Sequence, residues 1–115
     1  MRVMMRGKIH GARVTGTKLH YSGSLAVDSG LLKAAGMLPH EMVHVWNVSN
    51  GKRFRTYVVP GKRGEVTVMG AAARLCRRGD EIIIAAEEVL AENEAWRLKP
   101  KIVFVDEKNR LKGRE

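Results

Sequence analysis

Short runs of β-branched and aromatic residues, separated by turn-forming residues, divide the whole chain. The runs at 42–48 and 54–59 are typical of strands, and Asn50-Gly51 between them strongly indicates a hairpin. Further strands are predicted at 3–15, bent at its two glycines, and at 25–27, 66–69, 81–86 and 101–106. So many short strands in 115 residues predict a mainly β fold, either a sandwich or a small barrel. A barrel is favoured because closure leaves no unpaired edge strand.

Two short helices are predicted among these strands. Asp28 or Ser29 can cap a helix at 31–35, which Gly36 ends. Small and apolar residues at 70–76 predict the second helix.

The chain is strongly basic. Lysine and arginine number 21 against 12 acidic residues, which gives a formal net charge of +9. Such an excess attracts polyanions or steers a small anionic substrate into a cleft. Aromatic residues make up only 5% of the chain, too few for a convincing base-stacking surface. Charge alone does not decide between the two kinds of partner; with the motifs described below, no nucleic-acid partner is predicted.

The sequence carries no pattern typical of export or membrane insertion. No apolar run is long enough to cross a membrane, and the first residues lack the apolar core of a signal peptide. The single cysteine, Cys76, excludes an internal disulfide. A cytoplasmic location without a membrane partner is therefore predicted. No linker or repeat interrupts the chain, so residues 1–115 are predicted to form one domain with a frayed tail at 108–115.

Two patterns resemble metal or thiol chemistry. Residues 40–44 read His-Glu-Met-Val-His, which matches a zinc-protease motif that requires a helix. The following residues favour a strand, on which the two histidines lie about 13 Å apart, so no metal site is predicted. Cys76 precedes two arginines, which can activate a thiol, but a lone cysteine among alanine and leucine is interpreted as a core residue.

Six polar residues fall near predicted strand ends or in turns. Together they supply a nucleophile, two fixed cations for carboxylates and two phenols for proton transfer. They are Lys8, Tyr21, Ser24, Arg53, Thr56 and Tyr57.

The order and spacing of several motifs resemble those of the pyruvoyl-dependent aspartate 1-decarboxylase family. The similarity extends over nearly the whole chain, although some of the motifs are common on their own. The motifs are Gly7-Lys8-Ile9-His10, Leu19-His20-Tyr21-x-Gly23-Ser24, Leu31-Leu32-Lys33-Ala34-Ala35-Gly36, Trp46-Asn47-Val48-x-Asn50-Gly51-Lys52-Arg53-Phe54-x-Thr56-Tyr57, Arg63-Gly64, Gly70-Ala71-Ala72-Ala73, Gly79-Asp80 and Lys99-Pro100.

This resemblance implies a small double-psi β-barrel with two or three short helices, assembled as a homotetramer with active sites between subunits. It implies self-cleavage between Gly23 and Ser24 into a β chain of residues 1–23 and an α chain of residues 24–115. Ser24 then becomes a covalent pyruvoyl group, which forms a Schiff base with L-aspartate and requires neither metal nor pyridoxal phosphate. The product, β-alanine, feeds pantothenate and coenzyme A synthesis. A separate maturation protein is left open as a partner.

The resemblance also assigns roles to single residues. Thr56 matches the group that activates the Gly23 carbonyl for cleavage, and Tyr57 matches the proton donor of turnover. Lys8 and Arg53 match the groups that hold the substrate carboxylates. The remaining predicted substrate contacts are Thr56, Gly70, Ala71, Ala72, Tyr21 and Trp46.

Two departures from the family pattern leave alternatives open. Met69 stands where the family has an asparagine, and the segment between Gly64 and Gly70 is about two residues shorter than is usual in the family. Methionine cannot replace the polar contacts of an amide. One alternative is a sister decarboxylase for another acidic amino acid such as glutamate. The other is an uncleaved basic binding module.

Overall fold

The computed structural model describes residues 1–114, and within them nine strands form one sheet. The strands are β1 Arg2–Arg13, β2 Gly16–Lys18, β3 Ser24–Asp28, β4 Met42–Asn47, β5 Arg53–Gly61, β6 Val66–Met69, β7 Glu81–Leu90, β8 Lys101–Val105 and β9 Leu111–Arg114. Three short helices complete the described chain: α1 Ser29–Ala34, a 3₁₀ helix Gly70–Leu75 and α2 Glu92–Ala95. The prediction of a mainly β fold with two or three short helices is confirmed.

The strand order in the sheet is β2-β6-β3-β5-β4-β7-β1-β8-β9. Three neighbouring pairs run parallel: β1 with β8, β2 with β6, and β3 with β5. The start of β3 therefore lies between β5 and β6, which are remote from it in sequence. Closure of the sheet as a double-psi barrel stays a prediction from the family resemblance.

Along β1, β4 and β5, one face of the sheet lies on the core and the other carries mostly polar side chains, whereas all four residues of β6 and the first four of β3 are buried. Ile9, Ile84 and Val45 stand opposite one another on β1, β7 and β4, and all three are fully buried. Because successive side chains of a strand point to opposite faces, the residues that alternate with them lie on the outer face. This outer face carries Lys8, Trp46, Arg53 and Tyr57, as the register of β1, β7, β4 and β5 requires.

Strand β1 is irregular at two places, close to the two glycines where bends were predicted. The pairing of β1 with β7 shifts register between Met5 and Gly7 and again between His10 and Ala12, so one irregularity lies at Arg6, next to the predicted Gly7, and the other at the predicted Gly11. A side chain on Gly7 would collide with the Ala35 carbonyl oxygen.

The first helix begins and ends as its sequence predicts. Asp28 caps α1 by accepting hydrogen bonds from the backbone N–H groups of Gly30, at 2.8 Å, and Leu31. Gly36 follows α1 with a φ of +71°. The second predicted helix is confirmed in position, although it is a 3₁₀ helix.

The prediction of a frayed tail is wrong for the described residues up to 114. Asn109 is buried, and its side chain hydrogen-bonds the backbone N–H and C=O of Arg13 and the carbonyl of Gly64. The following strand β9 pairs with β8. These long-range bonds order a segment whose charged composition indicated a solvated end; residue 115 lies outside the described residues.

Other boundaries differ from the predictions because of pairing between distant segments. Strand β7 continues to Leu90, since β1 pairs with it over its full length. Strand β5 continues through Pro60 to Gly61, because this segment pairs with β3 where a turn was predicted. Strand β2 and helix α2 were not predicted. No helix within residues 1–114 has the length and apolarity needed to span a membrane.

Candidate active site

The peptide bond between Gly23 and Ser24 lies in a tight and strained turn. The Gly23 N–H donates to the Tyr21 carbonyl at 2.8 Å, so the chain reverses over three residues. Gly23 has a φ of +37°, and Ser24 has a φ of 150°, a region that residues with side chains rarely occupy. Such a conformation costs about 1–3 kcal/mol and persists only where surrounding contacts hold it. Ser24 is 4% exposed, so this strained bond is largely shielded from solvent.

The hydroxyl of Tyr57 is hydrogen-bonded to the carbonyl of this strained bond. Tyr57 Oη donates to the Gly23 carbonyl oxygen at 2.7 Å and lies 3.2 Å from the Ser22 carbonyl oxygen. The parallel pairing of β3 with β5 begins with Leu25 opposite Val58, which brings Tyr57 beside the residues before Leu25. The register of two strands distant in sequence therefore determines which side chain meets the Gly23 carbonyl.

Thr56, the predicted activating group, lies on the other side of β5. It stands opposite Val43, whose side chain is buried in the core, whereas Tyr57 stands opposite the exposed Met42. Among the hydrogen bonds of residues 1–114, the Gly23 carbonyl accepts from Tyr57 and has none from Thr56. The role of Thr56 stays a prediction.

Gly70 packs directly against the strained turn. A Cβ atom on Gly70 would lie 2.6 Å from Gly23 Cα and 2.8 Å from Gly23 N, closer than packed atoms can approach. Gly70 also has a φ of +74°, which favours glycine. Of the two predicted substrate contacts that follow, Ala71 is exposed and Ala72 packs against the core. The family resemblance implies a substrate contact at Gly70, which stays a prediction; in the structure the close neighbour of Gly70 is Gly23.

Met69 faces the predicted cleavage site. It pairs with Ser24 across β6 and β3 and is 7% exposed. The residue that replaces the family asparagine is therefore a direct cross-strand neighbour of Ser24. Its thioether is at most a weak acceptor and donates no hydrogen bond.

The predicted carboxylate-binding cations lie apart from this turn. Arg53 pairs with Trp46, and its guanidinium lies 5.4 Å from the centre of the indole ring. Arg53 and Tyr57 are four residues apart on β5, which separates their Cα atoms by about 13 Å. Lys8 lies on β1, three strands away from β5, or about 14 Å across the sheet. Within one chain, these cations share the outer face with Tyr57 but do not surround Ser24.

Tyr21, the other predicted phenol, is more exposed. Its side chain is 57% exposed, and its ring centre lies 5.5 Å from Lys18 Nζ. Tyr21 also supplies the carbonyl that closes the turn at Gly23.

The segment at 40–44 is not a helix. Strand β4 begins at Met42, as predicted. On this strand, His44 Nε2 lies 2.9 Å from Oε1 of Glu87, which belongs to β7. Glu41 instead binds Arg6 and accepts from the Leu38 N–H at 3.0 Å. No cluster of three or more potential metal ligands occurs among the described residues.

Cys76 belongs to the hydrophobic core, as the sequence predicted. It is 6% exposed, and burial raises the pKa of its thiol to about 11, although a hydrogen bond from Asn47 acts in the opposite direction. The thiol is therefore protonated at neutral pH and is a poor nucleophile.

Fold and site together define a class: a small, mainly β protein whose candidate reactive centre is a strained Gly-Ser bond under a tyrosine hydroxyl. The model of the family described as aspartate decarboxylase matches residues 1–112. The chain belongs to the aspartate decarboxylase family.

Relatives named aspartate 1-decarboxylase match the chain over nearly its whole length. The protein of Carboxydothermus hydrogenoformans is 51% identical, with 94% of this chain and 87% of the relative aligned. The protein of Hydrogenobaculum sp. is 49% identical over 96% of this chain and 88% of the relative. The protein of Thermoanaerobacter pseudethanolicus is 49% identical over 95% of both chains.

Proposed function

We propose that this protein is an aspartate 1-decarboxylase that converts L-aspartate to β-alanine and CO2 and so supplies pantothenate and coenzyme A synthesis. Membership of the aspartate decarboxylase family supports the reaction and the substrate. The single observation that carries the proposal is the strained Gly23–Ser24 bond, with its carbonyl bonded to Tyr57 and its glycine packed on Gly70.

The chain itself supplies the reactive carbonyl in this proposal. Ser24 Oγ attacks the Gly23 carbonyl carbon, the C–N bond breaks, and the hydroxyl proton passes to the Ser24 nitrogen, which leaves an ester. Elimination then releases the Gly23 carboxylate, and water converts the resulting dehydroalanine to a pyruvoyl group with loss of ammonia. The φ of Ser24 supports this step, because breaking the peptide bond relieves backbone strain. The products are a β chain of residues 1–23 and an α chain of residues 24–115.

The pyruvoyl carbonyl would supply the electron sink for the electron pair that stays on the α-carbon when CO2 leaves. It requires neither a metal nor pyridoxal phosphate, because it forms from Ser24. Tyr57 donates a proton to the carbon that loses CO2, since its hydroxyl already lies beside the Gly23–Ser24 bond. Lys8 and Arg53 hold the two carboxylates of aspartate, and the guanidinium of Arg53 suits a bidentate contact.

A second copy of the chain completes the site in this proposal. The separation of Lys8 and Arg53 from Ser24 within one chain, each by more than 10 Å along or across the sheet, supports a site between subunits. The homotetramer implied by the family resemblance would bring the outer face of one copy to the turn of another. Trp46 then forms part of the substrate-binding surface beside Arg53.

A cytoplasmic location is part of the same proposal. Pantothenate synthesis and a free, unpaired Cys76 fit the reducing cytoplasm. Whether a maturation protein assists the cleavage is decided by following the purified chain alone.

Mass spectrometry of the denatured, purified protein tests the proposal. We expect two chains, with a pyruvoyl group in place of the serine at position 24, and conversion of aspartate to β-alanine. The Ser24→Ala variant should remain uncut and inactive. Assays with glutamate beside aspartate decide between the two acidic substrates. A wild-type chain that stays uncut after prolonged warming, or activity that survives Ser24→Ala, contradicts the proposal.

Mixed assemblies test whether the site lies between copies. Lys8→Ala and Ser24→Ala chains are each expected to be inactive alone. After co-expression, about a quarter of the sites in randomly mixed tetramers combine an intact Ser24 with an intact Lys8 from the neighbour. Activity near this level supports a shared site. Mixed tetramers with no activity would show that each site uses its own Lys8.

A further inference from the structure

His40, the first histidine of the segment at 40–44, has a strained backbone. Its φ is 70°, in the left-handed region that few residues with side chains occupy, although histidine does so more often than most. The His40 N–H donates to the Val58 carbonyl at 2.7 Å, and the Val58 N–H donates to the Glu41 carbonyl at 3.1 Å. These two bonds hold the strained residue against β5, next to Tyr57. Backbone strain that surrounding contacts maintain in this way is concentrated at functional sites.

The imidazole ring of His40 is a neighbour of the Tyr57 ring. The two ring centres are 6.2 Å apart, and the ring planes are inclined by 51°. This separation is typical of aromatic side chains that interact. Tyr57 is the proton donor in the proposed reaction, so a side chain that can carry a positive charge lies beside that donor.

His40 also lines an open groove, in which it is exposed to solvent. The charged groups along this groove are Arg6 of β1, Glu41, and Glu87 and Glu88 of β7, with His44 of β4 beside Glu87. Arg6 binds Glu41, and its Nε lies 3.9 Å from Glu88 Oε2. Three carboxylates therefore face one guanidinium there, so a positive charge on His40 has compensating negative charge around it. Through the groove, His40 can exchange protons with water while its ring faces Tyr57.

We propose that His40 is a positioning residue of the decarboxylation that acts through Tyr57. In its protonated form it stabilises the Tyr57 oxygen while Tyr57 gives up its proton, and it then returns a proton to that oxygen. The inference rests on the proposed function, in which Tyr57 is the proton donor of turnover.

The protons balance over one turnover. The bond between the substrate α-carbon and its carboxylate breaks, and the electron pair ends in a new C–H bond with the proton of Tyr57. The resulting phenolate takes a proton from the imidazolium of His40, directly or through one water molecule. The neutral imidazole regains a proton from water in the groove. One solvent proton is consumed for each CO2 released, as the conversion of aspartate to β-alanine requires.

The physical reason is the charge that Tyr57 acquires when it donates. A phenol that gives up its proton becomes an anion, and a cation about 6 Å away lowers the free energy of that anion. At an effective dielectric constant of about 20, this attraction corresponds to a rate gain of up to about 10²-fold. Because His40 is exposed to solvent, we expect a gain of about tenfold. Imidazole gains and loses its proton near neutral pH, so it can serve both as the cation and as the proton source.

The test compares the kcat of the cut, purified wild-type enzyme with that of His40→Asn. Asparagine tolerates a φ of 70°, so the turn is expected to keep its shape, and intact mass spectrometry checks that the variant is cut as completely as wild type. We expect kcat to be about tenfold lower at about pH 6, with an unchanged KM for aspartate. The protonated form is the active one, so the advantage of wild type should be lost as the pH rises to about 9, where imidazole is uncharged.

Two further variants separate charge from structure. His44→Gln is the matched control, because it removes the other histidine of the segment, whose partner is Glu87 rather than Tyr57. Its kcat relative to wild type is expected to be the same at all pH values. His40→Gly removes the whole side chain at a φ that glycine accepts. Free imidazole is expected to raise the kcat of His40→Gly at about pH 6 and to leave wild type unchanged.

The ratio of the wild-type kcat to that of His40→Asn decides the proposal. A ratio of one at every pH overturns it. A reduced kcat whose ratio to wild type does not change with pH also overturns it and would assign His40 a purely structural role. If the cut wild-type enzyme does not release CO2 from aspartate, the proposed function fails; an active wild type whose kcat is indifferent to His40 rejects this inference alone.

Discussion

Ser24 keeps an unfavourable backbone conformation because several independent contacts hold the turn around it. Gly70 packs on Gly23 from one side, and Tyr57 bonds the Gly23 carbonyl from another. The pairing of Ser24 with Met69 fixes the start of β3. A strained residue that is over-determined in this way stores about 1–3 kcal/mol at the bond that is expected to react.

Replacing Gly70 with alanine should disturb this turn selectively. The added Cβ meets backbone atoms of Gly23, which cannot rotate away, and alanine at a φ of +74° costs at least about 1 kcal/mol. We expect Gly70→Ala to lower the melting temperature and to slow or prevent the cut at Gly23. Gly16→Ala is the control, because nothing lies within 4 Å of a Cβ there. Normal cleavage of Gly70→Ala, measured by intact mass, would show that chemistry does not depend on this contact.

At the level of secondary-structure elements, the C-terminal segment depends on one buried amide. Asn109 bridges the end of β1 and the turn at Gly64, and its φ of 59° is one that asparagine tolerates better than most residues. These bonds lie two residues before β9, so they hold the chain in place where it enters that strand.

Asn109→Ala should therefore destabilise the protein by about 2–3 kcal/mol, because it leaves partly buried backbone groups of Arg13 and Gly64 without their Asn109 partner. Urea unfolding measures this loss. Lys108→Ala, at the exposed neighbouring position, is expected to stay within about 0.5 kcal/mol of wild type. If the two variants unfolded at the same urea concentration, the Asn109 hydrogen bonds would make no net contribution to the free energy of unfolding.

Elements that depend on local chemistry could be predicted from the sequence, whereas those that depend on distant pairing could not. The bends of β1, the Asp28 cap and strand β4 follow from residue types within a few positions. Strand β9 and the contact of Tyr57 with Gly23 depend on registers between segments far apart in the chain. The family resemblance pointed to Tyr57 and Thr56 together. Only the register of β5 against β3 and β4 distinguishes which of them faces the Gly23 carbonyl.

At the scale of the whole molecule, the predicted cut does not release its N-terminal piece. Strand β1 lies inside the sheet, where it pairs with β7 along its length and with β8 over Gly7–His10. Ile9 and Ala12 of β1 are fully buried in the core. Residues 1–23 are therefore held by backbone hydrogen bonds and apolar packing that do not involve the Gly23–Ser24 bond.

Refolding should distinguish the cut protein from the uncut one. After denaturation, the two pieces of the mature protein must meet before β1 can enter the sheet, whereas Ser24→Ala folds as one chain. We expect the rate of sheet formation, followed by far-UV circular dichroism, to rise with protein concentration for the cut protein only. A concentration-independent rate for the cut protein would indicate that residues 24–115 form the sheet without β1.

Because β1 lies inside the sheet, folding before the proposed cut differs from folding after it. In the uncut chain β1 is covalently linked to the rest of the sheet while the protein folds, and the proposed cut would remove that link. A cut molecule would refold only through an encounter of its two pieces, so at low protein concentration its persistence would depend mainly on the slowness of unfolding. After heating or denaturant has separated the pieces, recovery of the folded protein should therefore fall on dilution, even though every residue is still present.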